Sequence, residues 1–373
     1  APPPPLDFKW TARQGVFDGE KNFFPLGIYE VTPRSFKKIK HAGFSLVHLY
    51  KWEFSQDDAA ARSFLDHAQA SGLRAFMGFD RGRHSQNGVI QSNYAHVAQR
   101  IARLRDHPGL LAWYLFDEPD LEDQYVAPRN LESLYRLIKA LDPYHPVIVT
   151  FYDKHSITRY GKNCYDVYWA MAYENPEVAD GRLAGYKKHL GSEQPYLAIL
   201  HSFDHDDHRT GQSVGQISFK PDLAIFRANA YLALAHGSSG LCWWWYGDAR
   251  DEDMSVSDVP AAWGWLSQVA GEIRQLEPTL TARSSELPLS VECETKGIKL
   301  RTRAIMTQDA ITIIAVNPDP THEAAATISS KAFPENTLAM VKFENRVIKI
   351  EARQLRDRFA PYAAHVYEIR LSP

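Results

Sequence analysis

Leu110-Leu111-Ala112-Trp113-Tyr114-Leu115-Phe116-Asp117-Glu118-Pro119-Asp120 is an apolar run that breaks into two adjacent carboxylates and a proline. A run of this kind reads as a strand covered on both faces, as in a parallel sheet. Pro119 cannot donate to a sheet ladder, so the strand is expected to end there. Asp117 and Glu118 then stand at its C-terminal end, where α/β proteins build their sites. A carboxylate in that place can also simply cap the following loop. The surroundings of the pair decide between the two readings.

On either side of this stretch, strand and helix patterns alternate. Strands are expected over 23–29, 44–50, 73–79, 110–117, 146–150, 166–172, 196–200 and 239–245. Helices are expected over 33–41, 57–71, 94–105, 131–141, 182–190, 221–236 and 261–276, several of them closed by a glycine (Gly43, Gly72, Gly237). Eight strands interleaved with helices are the order of an α/β (β/α)8 barrel, the TIM barrel. An open doubly wound sheet would need a glycine-rich phosphate turn after its first strand, and Glu30-Val31-Thr32-Pro33 is nothing like one. Beyond Leu276-Glu277-Pro278 the pattern changes to short alternating runs separated by turn residues such as Asn317-Pro318-Asp319-Pro320. That is the signature of a small all-β sandwich. The expected organisation is an extended leader over 1–20, a barrel over 21–278 and a C-terminal β-sandwich over 279–373.

Composition narrows the partners. The 373 residues carry a formal net charge of −3, so nucleic acid is not an expected partner. No apolar run approaches the roughly 20 residues of a membrane span. Cys164, Cys242 and Cys293 have no metal-ligand spacing and read as buried small residues. The chain opens Ala1-Pro2-Pro3-Pro4-Pro5 without a methionine, as a mature end left by signal cleavage or an arbitrary boundary would. The extended proline-rich start favours the first, and a secreted or periplasmic protein is expected.

The residues that follow the eight strands share one chemistry. They are rich in acids, aromatics and histidines: Glu30; Tyr50, Trp52 and Glu53; Asp80; Asp117 and Glu118; Asp153; Tyr173 and Glu174; His201 and Asp204; Trp245 and Asp248. Converging on one rim, they would form an acidic bowl walled with rings. Carboxylates there can serve as acid, base or nucleophile, and flat rings suit the C–H faces of a sugar. Acids and platforms without a phosphate cradle point to cleavage of glycosidic bonds. Two adjacent carboxylates repel, which keeps a proton available on the pair near neutral pH. Trp243, Trp244 and Trp245 lie in one strand, so alternate rings face the barrel interior and the helices. Trp243 and Trp245 are candidates for ligand contact, whereas Trp113 and Tyr114 sit mid-strand and are expected to pack. His201, His205 and His208, interleaved with Asp204, Asp206 and Asp207, have the composition of a cation site without its spacing. No metal and no cofactor are expected.

Trp113-Tyr114-Leu115-Phe116-Asp117-Glu118-Pro119 resembles the fourth-strand acid/base motif of the large clan of barrel glycoside hydrolases that includes β-galactosidases, cellulases and β-mannanases, where it usually reads Asn-Glu-Pro. The resemblance extends to the segments at 24–29, 42–44 and 230–237 and to the sandwich end at 360–367, and so covers most of the chain. It implies that Glu118 is the general acid/base of a hydrolase acting on a polysaccharide or oligosaccharide. Asp117 stands where the clan usually has Asn. The clan's nucleophile is a Glu after strand seven, and His201-Ser202-Phe203-Asp204 holds none there. Three routes remain open. Asp204 or Glu174 could be the second carboxylate. Asp117 could steer a substrate acetamido group with Tyr173 beside it, as in hexosaminidases and chitinase-like barrels. The barrel could instead bind glycan without cleaving it. A metal-dependent hydrolase built on the 201–208 loop is a more distant alternative.

Overall fold

The expected barrel strands close on one another in the computed structural model. It describes residues 8–49, 57–79, 94–122, 125–202, 222–248, 256–257 and 259–371, and the backbone of two-residue strands at 85–86, 89–90, 206–207 and 212–213. The barrel strands are β1 (Leu26–Tyr29), β2 (Leu46–His48), β3 (Arg74–Gly78), β4 (Leu110–Asp117), β5 (Val147–Phe151), β6 (Val167–Ala172), β7 (Tyr196–His201) and β8 (Leu241–Trp244). All pair in parallel with their neighbours, and β8 returns to β1. The intervening helices are α1 (Phe36–His41), α2 (Asp58–Ala70), α3 (Tyr94–Leu104), α4 (Pro128–Leu141), α5 (Ser156–Tyr160), α6 (Pro176–Leu190), α7 (Leu223–Ala235) and α8 (Pro260–Thr281). Their starts follow local chemistry. The Asp57 side chain accepts the Ala59 and Ala60 N–H groups at the head of α2, and Asp222 accepts that of Ile225 in α7. Helix α8 runs through Pro278 to Thr281, beyond its expected end. The short helix α5 has no counterpart in the sequence reading.

Strand β4 sets the geometry of the rim. It is buried along its whole length. Leu110 pairs with Ala75 of β3, but the next pair is Ala112 with Phe76, which leaves Leu111 as an extra residue. On the other edge Tyr114 pairs with Ile148 and Phe116 with Val149, which leaves Leu115 as a second extra residue. Each extra residue resets the two-residue alternation of the strand. Tyr114 therefore joins the cluster inside the barrel, while Leu115 and Phe116 both join the layer between strands and helices. Asp117, three residues from Tyr114, returns to the side that Tyr114 faces. Strict alternation would have placed the two on opposite faces.

The two ends of the barrel differ. Residues 8–23, read from the sequence as leader as far as residue 20, form a three-stranded antiparallel sheet with strands at Lys9–Thr11, Gly15–Phe17 and Asn22–Phe23. Phe8, Val16 and Phe23 join the interior cluster of the barrel. The Trp10 indole donates to Ser239 just before β8, and Arg74 at the start of β3 pairs with Asp18 at 3.0 Å. This sheet covers the N-terminal mouth, so access to the interior is left to the C-terminal rim.

The C-terminal module consists of strands β9 (Ser285–Leu287), β10 (Ser290–Cys293), β11 (Arg301–Met306), β12 (Ala310–Val316), β13 (Ala324–Ser329), β14 (Thr337–Lys342), β15 (Arg346–Ile350), β16 (Gln354–Phe359) and β17 (Ala364–Arg370). They form one sheet ordered β9-β11-β12-β17-β14-β15 and another ordered β10-β13-β16, antiparallel throughout. Both sheets contribute to one core, with Ile311 and Ile313 from the first and Ile328 and Phe359 from the second. Helix α7 is apolar on every side because it lies between the barrel and this module. Arg227 bridges the two by pairing with Glu272 of α8 and donating to the Ala364 carbonyl.

Candidate active site

Below the rim the barrel is filled with rings. Tyr29, His48, Phe76, Tyr114, Trp169 and Trp244 come from six different strands and meet edge to face, stacked or tilted, with centroid separations of 4.3 Å for His48–Phe76 and 5.1 Å for Tyr29–Trp244. Such pairs add packing energy beyond the area they bury. The His48 Nδ1 atom lies 2.9 Å from the Phe76 carbonyl and must carry the proton donated there. Burial, reinforced by the charge of Arg100, pushes the pKa of His48 down to about 3, against that hydrogen bond, so the ring is neutral at ordinary pH. Burial likewise holds the Tyr29 phenol protonated, and the nearby Asp117 charge acts in the same direction.

Asp117 and Glu118 sit above this floor. Asp117 is 9% exposed. Its Oδ1 accepts the Tyr114 hydroxyl at 2.7 Å, and the same hydroxyl lies 2.7 Å from Thr150 Oγ1. The single Tyr114 proton goes to Asp117, so Thr150 must donate to Tyr114. The Thr150 carbonyl in turn accepts the Glu118 N–H at 2.9 Å. Thr150 thus holds the Glu118 backbone directly and reaches Asp117 through Tyr114. Glu118 has a left-handed backbone with φ of 52° and is half-buried. A non-glycine residue in that region costs energy and is held there by its surroundings. Beyond it, Asp120 accepts the Tyr152 and Asp153 N–H groups and the Ser156 hydroxyl, which ties the β4 loop to the β5 loop.

The other expected rim residues divide. Glu30 follows β1, is 1% exposed and is also left-handed, with φ of 54°. His201 ends β7 and is buried, with its ring 5.9 Å from that of Tyr173. Trp244, Trp245 and Tyr173 all pack on the interior cluster, and the Trp244–Trp245 peptide is cis. Trp243, expected as a candidate sugar platform, is fully buried on the helix side against Phe44. Its place in the strand turns it away from the interior. Glu174 pairs with Arg182 of α6 at 2.9 Å. Burial raises its pKa, and the Arg182 charge opposes that rise. Asp153 is exposed and accepts the His155 N–H at the head of α5. Asp248 accepts both the N–H and the hydroxyl of Thr32 and contacts Arg34, joining the β8 and β1 loops. Tyr50, Trp52, Asp80 and Asp204, with Glu53, His205 and His208, lie outside the described residues. Thr150, His48 and Asp120 were not singled out from the sequence, and Tyr114 was read as packing. A histidine set within the apolar run at 44–50 was the one available signal for His48.

Residues 65–231 match the family model described as glycosyl hydrolases family 2, TIM barrel domain. Among solved structures, a glycoside hydrolase family 5 protein from Bacteroides vulgatus aligns over 98% of this chain and 93% of its own, with a TM-score of 0.65 and 12% identity. A structure described as a glycoside hydrolase aligns over 99% and 97%, with a TM-score of 0.65 and 12% identity. An alpha-amylase from Geobacillus thermoleovorans, complexed with acarbose, aligns over 91% and 92%, with a TM-score of 0.60 and 12% identity. At these identities the likeness concerns the fold. No curated protein matches the chain. The family match, which runs from within α2 to within α7, and the closed barrel together support a glycoside hydrolase. That class of enzyme hydrolyses glycosidic bonds. No described helix is long and apolar enough to cross a membrane.

Proposed function

We propose that the protein cleaves glycosidic bonds in a polysaccharide or oligosaccharide with Glu118 as general acid/base, and that it works as a secreted or periplasmic enzyme. The observation that carries the assignment is the acid pair at the end of β4, with Glu118 half-buried in a left-handed turn tied to β5 and Asp117 bound by Tyr114 of its own strand. An acid at this rim, above a floor of rings, can protonate the leaving oxygen of a sugar seated on that floor. The route through a second carboxylate has two candidates, Asp204 and Glu174, of which Glu174 is ion-paired with Arg182. The substrate-assisted route has separate support. Asp117 faces the interior on the same side as Tyr114, where it can direct an acetamido group of the substrate.

A panel of plant and bacterial polysaccharides and para-nitrophenyl glycosides, with product analysis, tests the reading. At least one glycan is expected to be cleaved by the wild type and left intact by Glu118→Gln, which should still fold and bind it. Binding without cleavage by the wild type would make the barrel a carbohydrate-binding protein. Loss of activity on chelation would revive a metal-dependent hydrolysis. N-acetylhexosaminides cleaved in preference to hexosides would select the substrate-assisted route.

A further inference from the structure

We infer that Tyr114 and Thr150 are positioning residues that place the negative charge of the acid pair on Asp117 and leave the shared proton on Glu118. The inference rests on the acid/base reading of Glu118 and adds what decides between two chemically similar neighbours. The three oxygens form a chain that can end on a charged Asp117. With Asp117 ionised, the Tyr114 hydroxyl donates to its Oδ1 and Thr150 Oγ1 is left to donate to the Tyr114 oxygen, each over 2.7 Å. A phenol whose oxygen already accepts a hydrogen bond is a better donor, since chained hydrogen bonds polarise one another. Tyr114 is 4% and Thr150 1% exposed, so water competes little for either bond. A donor aimed at a carboxylate favours its charged form.

The contact exists because of the extra residue at Leu115. Phe116 pairs with Val149 and Asp117 with Thr150, one step out of phase with Tyr114 and Ile148. That step brings Asp117 back over the Tyr114 ring. Glu118 has a different partner on β5, because its N–H is bound to the Thr150 carbonyl while the Thr150 side chain serves Tyr114. Thr150 therefore fixes the backbone of one acid and the charge of the other.

Several titratable groups stand around Asp117 among the described residues, with Cys242 of β8 beside Tyr29. Glu118 and Tyr114 lie on its own strand, Tyr29 comes from β1, and His48 from β2 packs behind Tyr114. Tyr173 beyond β6 faces Tyr29. β3 and β5 present Phe76 and Thr150, which do not titrate. His48 is neutral and Tyr29 is protonated, so neither adds a charge beside Asp117. Two coupled carboxylates lose their protons in two steps that belong to the pair. When Asp117 is the stronger acid, the first step charges Asp117 and the second removes the catalytic proton from Glu118.

The test is Tyr114→Phe, with Thr150→Val as a second variant that keeps the Tyr114 ring and the Thr150 backbone bond. The first readout is an NMR titration of carbon-13-labelled aspartate in the full chain, with the Asp117 signal assigned by its absence from Asp117→Asn. Tyr114→Phe is expected to raise the Asp117 midpoint by about one unit, a tenfold change in proton affinity. Thr150→Val should move it in the same direction by less. The second readout is the pH profile of kcat/KM on the para-nitrophenyl glycoside that the panel finds to be cleaved fastest. Its acidic limb should rise by about the same amount, while the alkaline limb, set by Glu118, stays in place. An Asp117 midpoint unmoved in both folded variants would overturn the inference, as would activity lost equally at every pH. If Tyr114→Phe does not fold, Thr150→Val alone decides. The NMR readout needs no substrate, so it can fail while Glu118→Gln still abolishes turnover, or succeed while the acid/base reading fails.

Discussion

Asp142 shows at the scale of one residue how this fold uses a buried charge. It is 1% exposed, yet it accepts the Trp113 indole at 2.7 Å, His145 Nδ1 at 2.7 Å and two backbone N–H groups. Burial alone would raise its pKa, but the bonds from His145 and Trp113 outweigh it and hold the carboxyl near about 2. The folded value is depressed, so the stabilisation is present above the usual carboxylate range and is lost as pH falls toward 2. Asp142→Asn is expected to cost about 2 kcal/mol at pH 7. The Tm gap to wild type, followed by circular dichroism, should close as the pH falls below about 4. At this scale the sequence was partly legible. Asp117 and Glu118 stood out because carboxylates rarely follow an apolar run without reason. Tyr114 did not, because a tyrosine inside a buried strand looks the same whether its hydroxyl serves a carboxylate or only fills space.

The strands and helices were legible in kind and less so in phase. Apolar runs and capping residues mark all eight barrel strands, and β4 lies where the run at 110–117 placed it. The two extra residues in β4 are invisible in the sequence, since Leu111 and Leu115 are as apolar as their neighbours. Yet they decide which face Asp117 occupies. Trp243 carries the same lesson, because composition nominated it for the site and strand phase removed it. The N-terminal sheet was missed because its strands are only two or three residues long. Gly15 makes its turn, with φ of 65°, and a Cβ there would lie 2.4 Å from the Phe23 carbonyl oxygen. Gly15→Ala should therefore destabilise the protein by roughly 1–3 kcal/mol. The measurement is thermal denaturation beside the pH profile. The Tm should drop and the profile keep its shape, because the strain lies at the mouth opposite the acids.

At the scale of the molecule, the order of elements announced a barrel followed by an all-β module, but nothing in the sequence said how the two are joined. The joint is built around Asp180 of α6. It takes a bidentate pair from Arg301 of β11, at 2.8 and 2.9 Å, and a 2.8 Å bond to His236 at the end of α7. These partners are spread over three distant stretches of chain, which is why no local pattern reveals them. Burial opposes the Asp180 charge, yet Arg301 and His236 hold its pKa well below the usual carboxylate range. The joint should accordingly weaken as pH falls below about 4, the unfolded-state value. Asp180→Ala is expected to cost about 1–2 kcal/mol by leaving His236 and the partly exposed Arg301 without their acceptor. Limited proteolysis between 281 and 300 should then quicken at pH 7, while wild type reaches comparable susceptibility only in acid. The central claim, that Glu118 supplies the proton to the departing sugar, is tested most directly by leaving-group dependence. The rates of wild type and Glu118→Gln would be compared on aryl glycosides of one sugar with increasingly acidic phenols. The account predicts a loss of roughly 10²–10⁴-fold for the poorest leaving groups, the usual contribution of a general acid. That loss should shrink steadily as the phenol becomes acidic enough to leave unaided. A variant that matches wild type on every phenol, or that loses the same factor on all of them, would contradict it.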